Sequence, residues 1–283
     1  MVKKGEIALI KESDPTIEGA GVRLRRALGP EEAPLLDPFL LLDDFHSKDP
    51  ADYLAGFPWH PHRGIETVTY VIRGLIEHGD SIGNKGAISS GDVQWMTAGG
   101  GILHQEMPQR YDGMMQGFQL WVNLPAADKM MPPRYREVPK DRLRPVTPAE
   151  GVKARIIAGE LDGTKGPVQD IVIDVEYMDF EMEPDREFEH RIGEGMRSFA
   201  YVFGGDGLFG SDDLKKVEKD HLVVFGETGM MTVRSGKSGL RFMFASGRPL
   251  WEPIAWGGPI VMNTQEELEL AFRELRNGTF IKK

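Results

Sequence analysis

Two stretches of this chain repeat at a spacing of 130 residues, and the repeat constrains the fold more than any other feature. Shifted by that amount, Tyr70-Val71-Ile72-Arg73-Gly74 falls on Ala200-Tyr201-Val202-Phe203-Gly204. The same shift puts Val93-Gln94-Trp95-Met96-Thr97-Ala98-Gly99 on Val223-Val224-Phe225-Gly226-Glu227-Thr228-Gly229. Each copy reads as an apolar strand, a Gly turn, a hairpin and a second strand ending in Gly. The expected architecture is two similar β-barrels in tandem.

The rest of the chain is patterned the same way. Runs rich in Val, Tyr, Trp and Phe cover 67–72, 91–97, 117–124, 153–157, 171–182, 198–203, 221–225 and 240–245, with Gly and Pro between them. Many short strands bounded by turn residues favour sandwiches or barrels over βαβ units. Gly204-Gly205-Asp206-Gly207 reads as a hairpin turn. Thr264-Gln265-Glu266-Glu267 is a capping box opening a C-terminal helix. Its apolar face is Leu268, Ala271, Phe272 and Leu275, and Asn277-Gly278 ends it. The Pro- and charge-rich segment 128–152 reads as a linker, giving domains at 1–135 and 136–283, the helix falling in the second.

Composition removes several function classes. With 44 acidic and 34 basic residues the net charge is −10, so the broad positive surface that nucleic acid or anionic lipid needs is not expected. Docking onto another protein stays open. There are no cysteines, hence no disulfide, iron–sulfur cluster or thiolate site, and any metal must take nitrogen and oxygen ligands. The apolar stretch Ile7–Ile10 is too short for a signal-peptide core, and no run would span a membrane, so a cytoplasmic location is expected.

Three of the seven histidines fall in two short motifs, His60-Pro61-His62 and His104-Gln105-Glu106. Residues two apart on a strand share a face, so two such strands facing each other would present three imidazoles and one carboxylate to a single ion. That donor set suits iron, manganese, nickel, copper or zinc and leaves positions open for substrate. Pro61 fits a strand near a barrel mouth. Ala98-Gly99-Gly100-Gly101 before His104 reads as a bulge or a tight backbone approach. Glu66, four residues past His62 and so on the same face, competes with Glu106 as the carboxylate, the other serving to orient a ligand or act as a base. Phe57, Trp59, Trp95, Met96, Phe118 and Trp121 are candidates for an aromatic wall, and Met130-Met131 for a lid or for packing. His46 and His78 sit among polar turn residues and read as solvent-exposed. In the second copy His190 matches His60, but Ile192, Arg234 and Gly236 replace the other three. Only the first half can build this site.

Residues 56–68 (GFPWHPHRGIETV) and 91–108 (GDVQWMTAGGGILHQEMP) resemble the two signatures of the pirin family of the cupin superfamily. Leu120-Trp121-Val122-Asn123-Leu124 and Pro259-Ile260-Val261-Met262-Asn263-Thr264 are similar to further segments of that family. The shorter spacing before His60 and the longer Gly turn before His104 depart from the general cupin pattern as pirins do. The resemblance implies an all-β fold of two jelly-roll-like cupin barrels with a C-terminal helix. It implies one mononuclear divalent metal ion, usually iron(II), on His60, His62, His104 and Glu106, with Glu66 in support. It also implies either a quercetin 2,3-dioxygenase or a regulator acting through protein partners. As a dioxygenase the chain would open a flavonol with O2 and release carbon monoxide, Glu106 or Glu66 acting as base.

Overall fold

The computed structural model describes residues 6–282 apart from 212, 227 and 228. The readings made on residues 1–5, and on 227 and 228 in the second copy of the repeat, lie outside these. The chain forms two compact units, and each is discontinuous in sequence. One comprises Pro15–Arg26, Phe39–Lys140 and residues 250–282; the other comprises residues 6–14, Ala27–Pro38 and Asp141–Pro249. The C-terminal helix, placed by sequence with the second barrel, therefore clusters with residues of the first.

In the unit built on Phe39–Lys140, a seven-stranded sheet runs in the order Arg134–Val138, Val93–Thr97, Ile65–Arg73, Met115–Asn123, Phe39–Ser47, Val22–Leu28, Asp14–Glu18. A four-stranded sheet runs Phe57–His62, Ile102–Pro108, Leu75–Asp80, Lys85–Ser89. The other unit is a nine-stranded antiparallel sheet whose interior is filled by Phe180, Phe188, Phe209, Phe242 and Phe244 among others. Each such phenyl ring contributes about 1.5–3 kcal/mol on leaving water. Its edge includes Ile7–Glu12, paired with His221–Phe225, so the first described strand closes the later barrel.

The sequence repeat survives at the level of single residue pairs. Tyr70 opposes Val93 and Val68 opposes Trp95 in one unit; Ala200 opposes Val223 and Ser198 opposes Phe225 in the other. Each pair is displaced by the same 130 residues. The histidine strands do not keep that register. His60 faces His104, whereas His190 faces Met231, not Arg234. The second barrel thus sets an apolar side chain where the first sets a histidine, and His190 packs among Phe180, Phe188 and Phe244 with Nε2 3.4 Å from Glu176 Oε2.

Three local expectations change. Gly204-Gly205-Asp206-Gly207 is not a hairpin turn but lies within the long strand Arg197–Gly210, marked by register shifts. At Gly205 φ is +68°, and a Cβ there would lie 2.0 Å from Gly239 O, so glycine is required by a close strand crossing. The 128–152 segment is not a free linker. It contributes Arg134–Val138 and Val146–Ala149, each at the outer end of its sheet order, where Pro nearby costs no ladder bonds. Finally, His46 and His78 belong to strands; His78 is buried and stacks on Tyr135, and His46 is half-buried beside Asp44.

The helix Gln265–Arg276 has the expected capping box, with Glu267 N–H donating to Thr264 Oγ1 and Thr264 N–H to Glu267 Oε2. Leu268 and Ala271 are buried against Ile260, Met262 and Phe280, with Phe272 and Leu275 alongside. Among the described residues no helix is long and apolar enough to cross a membrane.

Candidate metal centre

Strands Phe57–His62 and Ile102–Pro108 pair antiparallel with His60 opposite His104 and His62 opposite Ile102. Phe57–His62 is the end strand of its sheet, which is why Pro61 is tolerated. The three imidazoles converge: ring centroids are 4.3 Å apart for His60–His104, 4.8 Å for His60–His62 and 4.9 Å for His62–His104. One ring nitrogen from each lies within 4.8 Å of the others.

Hydrogen bonding fixes where the protons are. His60 Nδ1 is 2.9 Å from Pro58 O and His62 Nδ1 is 3.1 Å from Pro259 O, and a carbonyl only accepts. Both Nδ1 atoms therefore carry hydrogen, and both Nε2 atoms carry lone pairs. Those two Nε2 atoms are 3.1 Å apart with no proton left to share between them. His104 is buried with neither ring nitrogen hydrogen-bonded to a described residue. Such a set is repulsive alone and is satisfied by one cation, so the residues fit a metal ion. Burial lowers the pKa of all three; for His62 and His104 it goes well below 6.5, with the neighbouring imidazoles adding to the effect. Neutral imidazoles are the ligand form.

The two carboxylates lie on opposite faces of the seven-stranded sheet. Glu106 is buried on the His104 face of its strand, receiving hydrogen bonds from Thr69 Oγ1 at 2.8 Å and Gln119 Nε2 at 3.0 Å. Its pKa is raised by burial, partly offset by those two donors. Glu66 is three residues from Thr69 on the same strand and so points the other way. There it accepts from Thr97 Oγ1 at 2.6 Å, and burial likewise raises its pKa. The expectation that Glu66 shares a face with His62 fails because Gly64, at φ +78°, turns the chain from one sheet into the other. Glu106's oxygens lie outside the three-histidine cluster as it stands.

The same alternation sorts the aromatic residues. Trp95 and Phe118 are fully buried on the Glu66 face and do not line the histidines. Met96 is buried on the inner face, Phe57 lies 6.5 Å from His60, and Trp59 is exposed. Trp121 meets His62 edge-on at 5.1 Å and is itself 6.2 Å from Trp256. The glycine turn is a tight backbone approach: Gly100 N–H donates to Met131 O, and a Cβ on Gly99 would lie 2.1 Å from that oxygen. Met131 therefore braces the turn through its backbone.

Sequence reasoning did not identify Pro259, Trp256, Thr69 or Gln119 around the histidines, nor two buried cations behind them. Arg63 donates to Phe280 O and pairs with Glu274, both at 2.8 Å, with its guanidinium 4.2 Å over the Phe280 ring. Lys129 Nζ donates to Gly64 O, Asn123 Oδ1 and Val261 O, and burial lowers its pKa to about 8. The available signal was the segment Pro259–Thr264, conspicuous in sequence but without an assigned role.

Comparison with known proteins follows the same outline. The Pirin family model matches residues 21–122, and the Pirin C-terminal cupin domain model matches residues 177–281. A pirin-like protein of Caulobacter vibrioides is 41% identical over 278 residues, covering 96% of this chain and 97% of its own. The crystal structure of quercetin 2,3-dioxygenase from Acinetobacter baumannii superimposes with a TM-score of 0.91 at 30% identity, covering 98% and 99% of the two chains. A bacterial pirin of Escherichia coli, crystallised with nickel(II), shares the fold at a TM-score of 0.65 and 19% identity, covering 85% of this chain and 100% of its own.

Proposed function

Because the chain belongs to the pirin family, we propose that it is a metal-dependent dioxygenase of the quercetin 2,3-dioxygenase type. The observation that carries this reading is the pair of Nε2 lone pairs of His60 and His62, 3.1 Å apart, beside a third imidazole with no hydrogen-bond partner among the described residues. His60, His62 and His104 would hold one divalent ion, iron(II) being the first candidate. Glu106, turned inward on the His104 strand, is the proposed fourth ligand, and Glu66 is set aside. A bound ion would supply Lewis-acid and redox character, lowering the barrier between an electron-rich phenolate and O2.

The chain's own residues do the rest. The buried Glu106 carboxylate, its affinity for a proton raised, is placed to take the 3-hydroxyl proton of a flavonol, and Thr69 and Gln119 fix its orientation. Trp121 gives the flat ring system an aromatic edge beside His62. Resemblance to the Acinetobacter enzyme supports quercetin as the first substrate to try. Protein loaded with iron(II) should consume quercetin aerobically and release carbon monoxide into the headspace. Turnover no faster than that of His60→Ala would sink the reading. Glu106→Gln should slow turnover by roughly 10²–10⁴-fold, the usual size of a lost general base.

A further inference from the structure

Tail residues from 250 onward reach His62, and the residues beside it, at several points. Pro259 O accepts from His62 Nδ1–H, across 197 residues of sequence. Val261 N–H donates to Arg63 O, and Arg63 forms a bridge with Ile260. The Arg63 guanidinium, adjacent to His62 in sequence and buried, meets the tail at Phe280 O, the Glu274 carboxylate and the Phe280 ring. Lys129 ties Val261 O to Gly64 O, at the turn that ends the ligand strand. Trp256 closes on Trp121, the ring that meets His62.

A carbonyl on the far nitrogen of a metal-ligating histidine fixes its tautomer and its ring direction. Here that carbonyl does not come from the scaffold that carries the histidine but from a separately docked segment. We infer that Pro259 and Arg63 are positioning residues for the metal site, so that docking of the tail and binding of the ion are thermodynamically coupled. The inference rests on the metal reading of the three histidines but not on any particular reaction. Coupling is reciprocal: loosening the tail weakens the ion, and the ion tightens the tail.

The test uses the full chain and nickel(II). Calorimetric titration of wild type, Arg63→Met and Glu274→Gln gives affinities, and cobalt(II) substitution gives a ligand-field spectrum that reports ligand geometry. Backbone exchange at the Val261 amide, with and without nickel(II), reports docking in the unmutated protein. We expect Arg63→Met to weaken nickel(II) by about 10–100-fold, the usual cost of losing an outer partner, with an altered cobalt(II) spectrum. Glu274→Gln should shift both in the same direction by less, and nickel(II) should slow Val261 exchange in wild type. Should Arg63→Met fail to fold, the Glu274→Gln titration and the wild-type exchange still decide. Wild-type protein that takes up no nickel(II) overturns the metal reading and this inference with it. Wild-type protein that binds the ion, with unchanged affinity and spectrum in the variants and unchanged Val261 exchange, overturns this inference alone.

Discussion

His104 and His60 sit directly opposite each other on adjacent antiparallel strands, their ring centroids 4.3 Å apart, with His104 buried and His60 half-buried. Neighbouring imidazoles without an ion are stable only while uncharged. Their pKa values are held below 6.5, chiefly by burial. A base whose pKa is lower folded than unfolded contributes stability fully above the unfolded value, and that contribution is lost as pH falls toward the folded value. Metal-free protein should therefore lose thermal stability as pH drops below about 6.5. Melting curves from pH 7.5 to 5 check this, and replacing His62 and His104 with Gln should flatten the slope.

Glu106 and Glu66 are separated by the face they occupy, which a matched pair of variants can read. Glu106→Gln should weaken metal binding at least tenfold, whereas Glu66→Gln should leave it within about threefold. Titration with manganese(II) or nickel(II) measures both. Equal losses in the two variants would contradict the face assignment.

Bound ion should stabilise the fold by mass action, about 2.7 kcal/mol at a free concentration one hundred times the dissociation constant. Chelation should remove that increment. His62→Ala should abolish it and His190→Ala should not, since His190 faces Met231 in a barrel packed with phenylalanine.

Lys129 offers a stability test away from the histidines. Lys129→Met strands three buried acceptors, Gly64 O, Asn123 Oδ1 and Val261 O, and should cost about 2–4 kcal/mol by urea denaturation. The lowered lysine pKa also gives a sign: between about 8 and 10.5 the unfolded chain holds this proton more tightly, so this group's contribution to stability rises with pH across that window. The slope should vanish in Lys129→Met.

Gly99 combines φ of +51° with a hypothetical Cβ 2.1 Å from Met131 O. Gly99→Ala should cost about 2–4 kcal/mol through backbone strain and the displaced 131 carbonyl. A change smaller than 0.5 kcal/mol would mean that the turn can open.

Much of this was legible from residue order. Runs rich in Val, Tyr, Trp and Phe between Gly and Pro marked the strands, and the shared register of Tyr70–Val93 and Ala200–Val223 appeared as a 130-residue echo. The His-x-His and His-x-Glu spacings singled out three imidazoles that the structure brings together, because alternation along a single strand is a local rule. Glu66 was misread because the rule was carried across Gly64, where the chain leaves one sheet for the other. The Gly204–Gly207 bulge was taken for a turn because glycine marks close strand crossing as well as reversal. Pro259 and the partners of Arg63 could not be seen at all, since nothing in local pattern tells a tail which barrel it will join.

That tail imposes an order on biosynthesis. Pro259 is 197 residues beyond His62, so a ribosome adding roughly 5–20 residues per second needs about ten to forty seconds to supply it. The nascent protein must display His60, His62 and His104 throughout that interval with one hydrogen-bond acceptor missing. The earliest-made half is thus finished last, and a ribosome stalled within the second barrel leaves His60 held by Pro58 but His62 without the carbonyl that orients its ring.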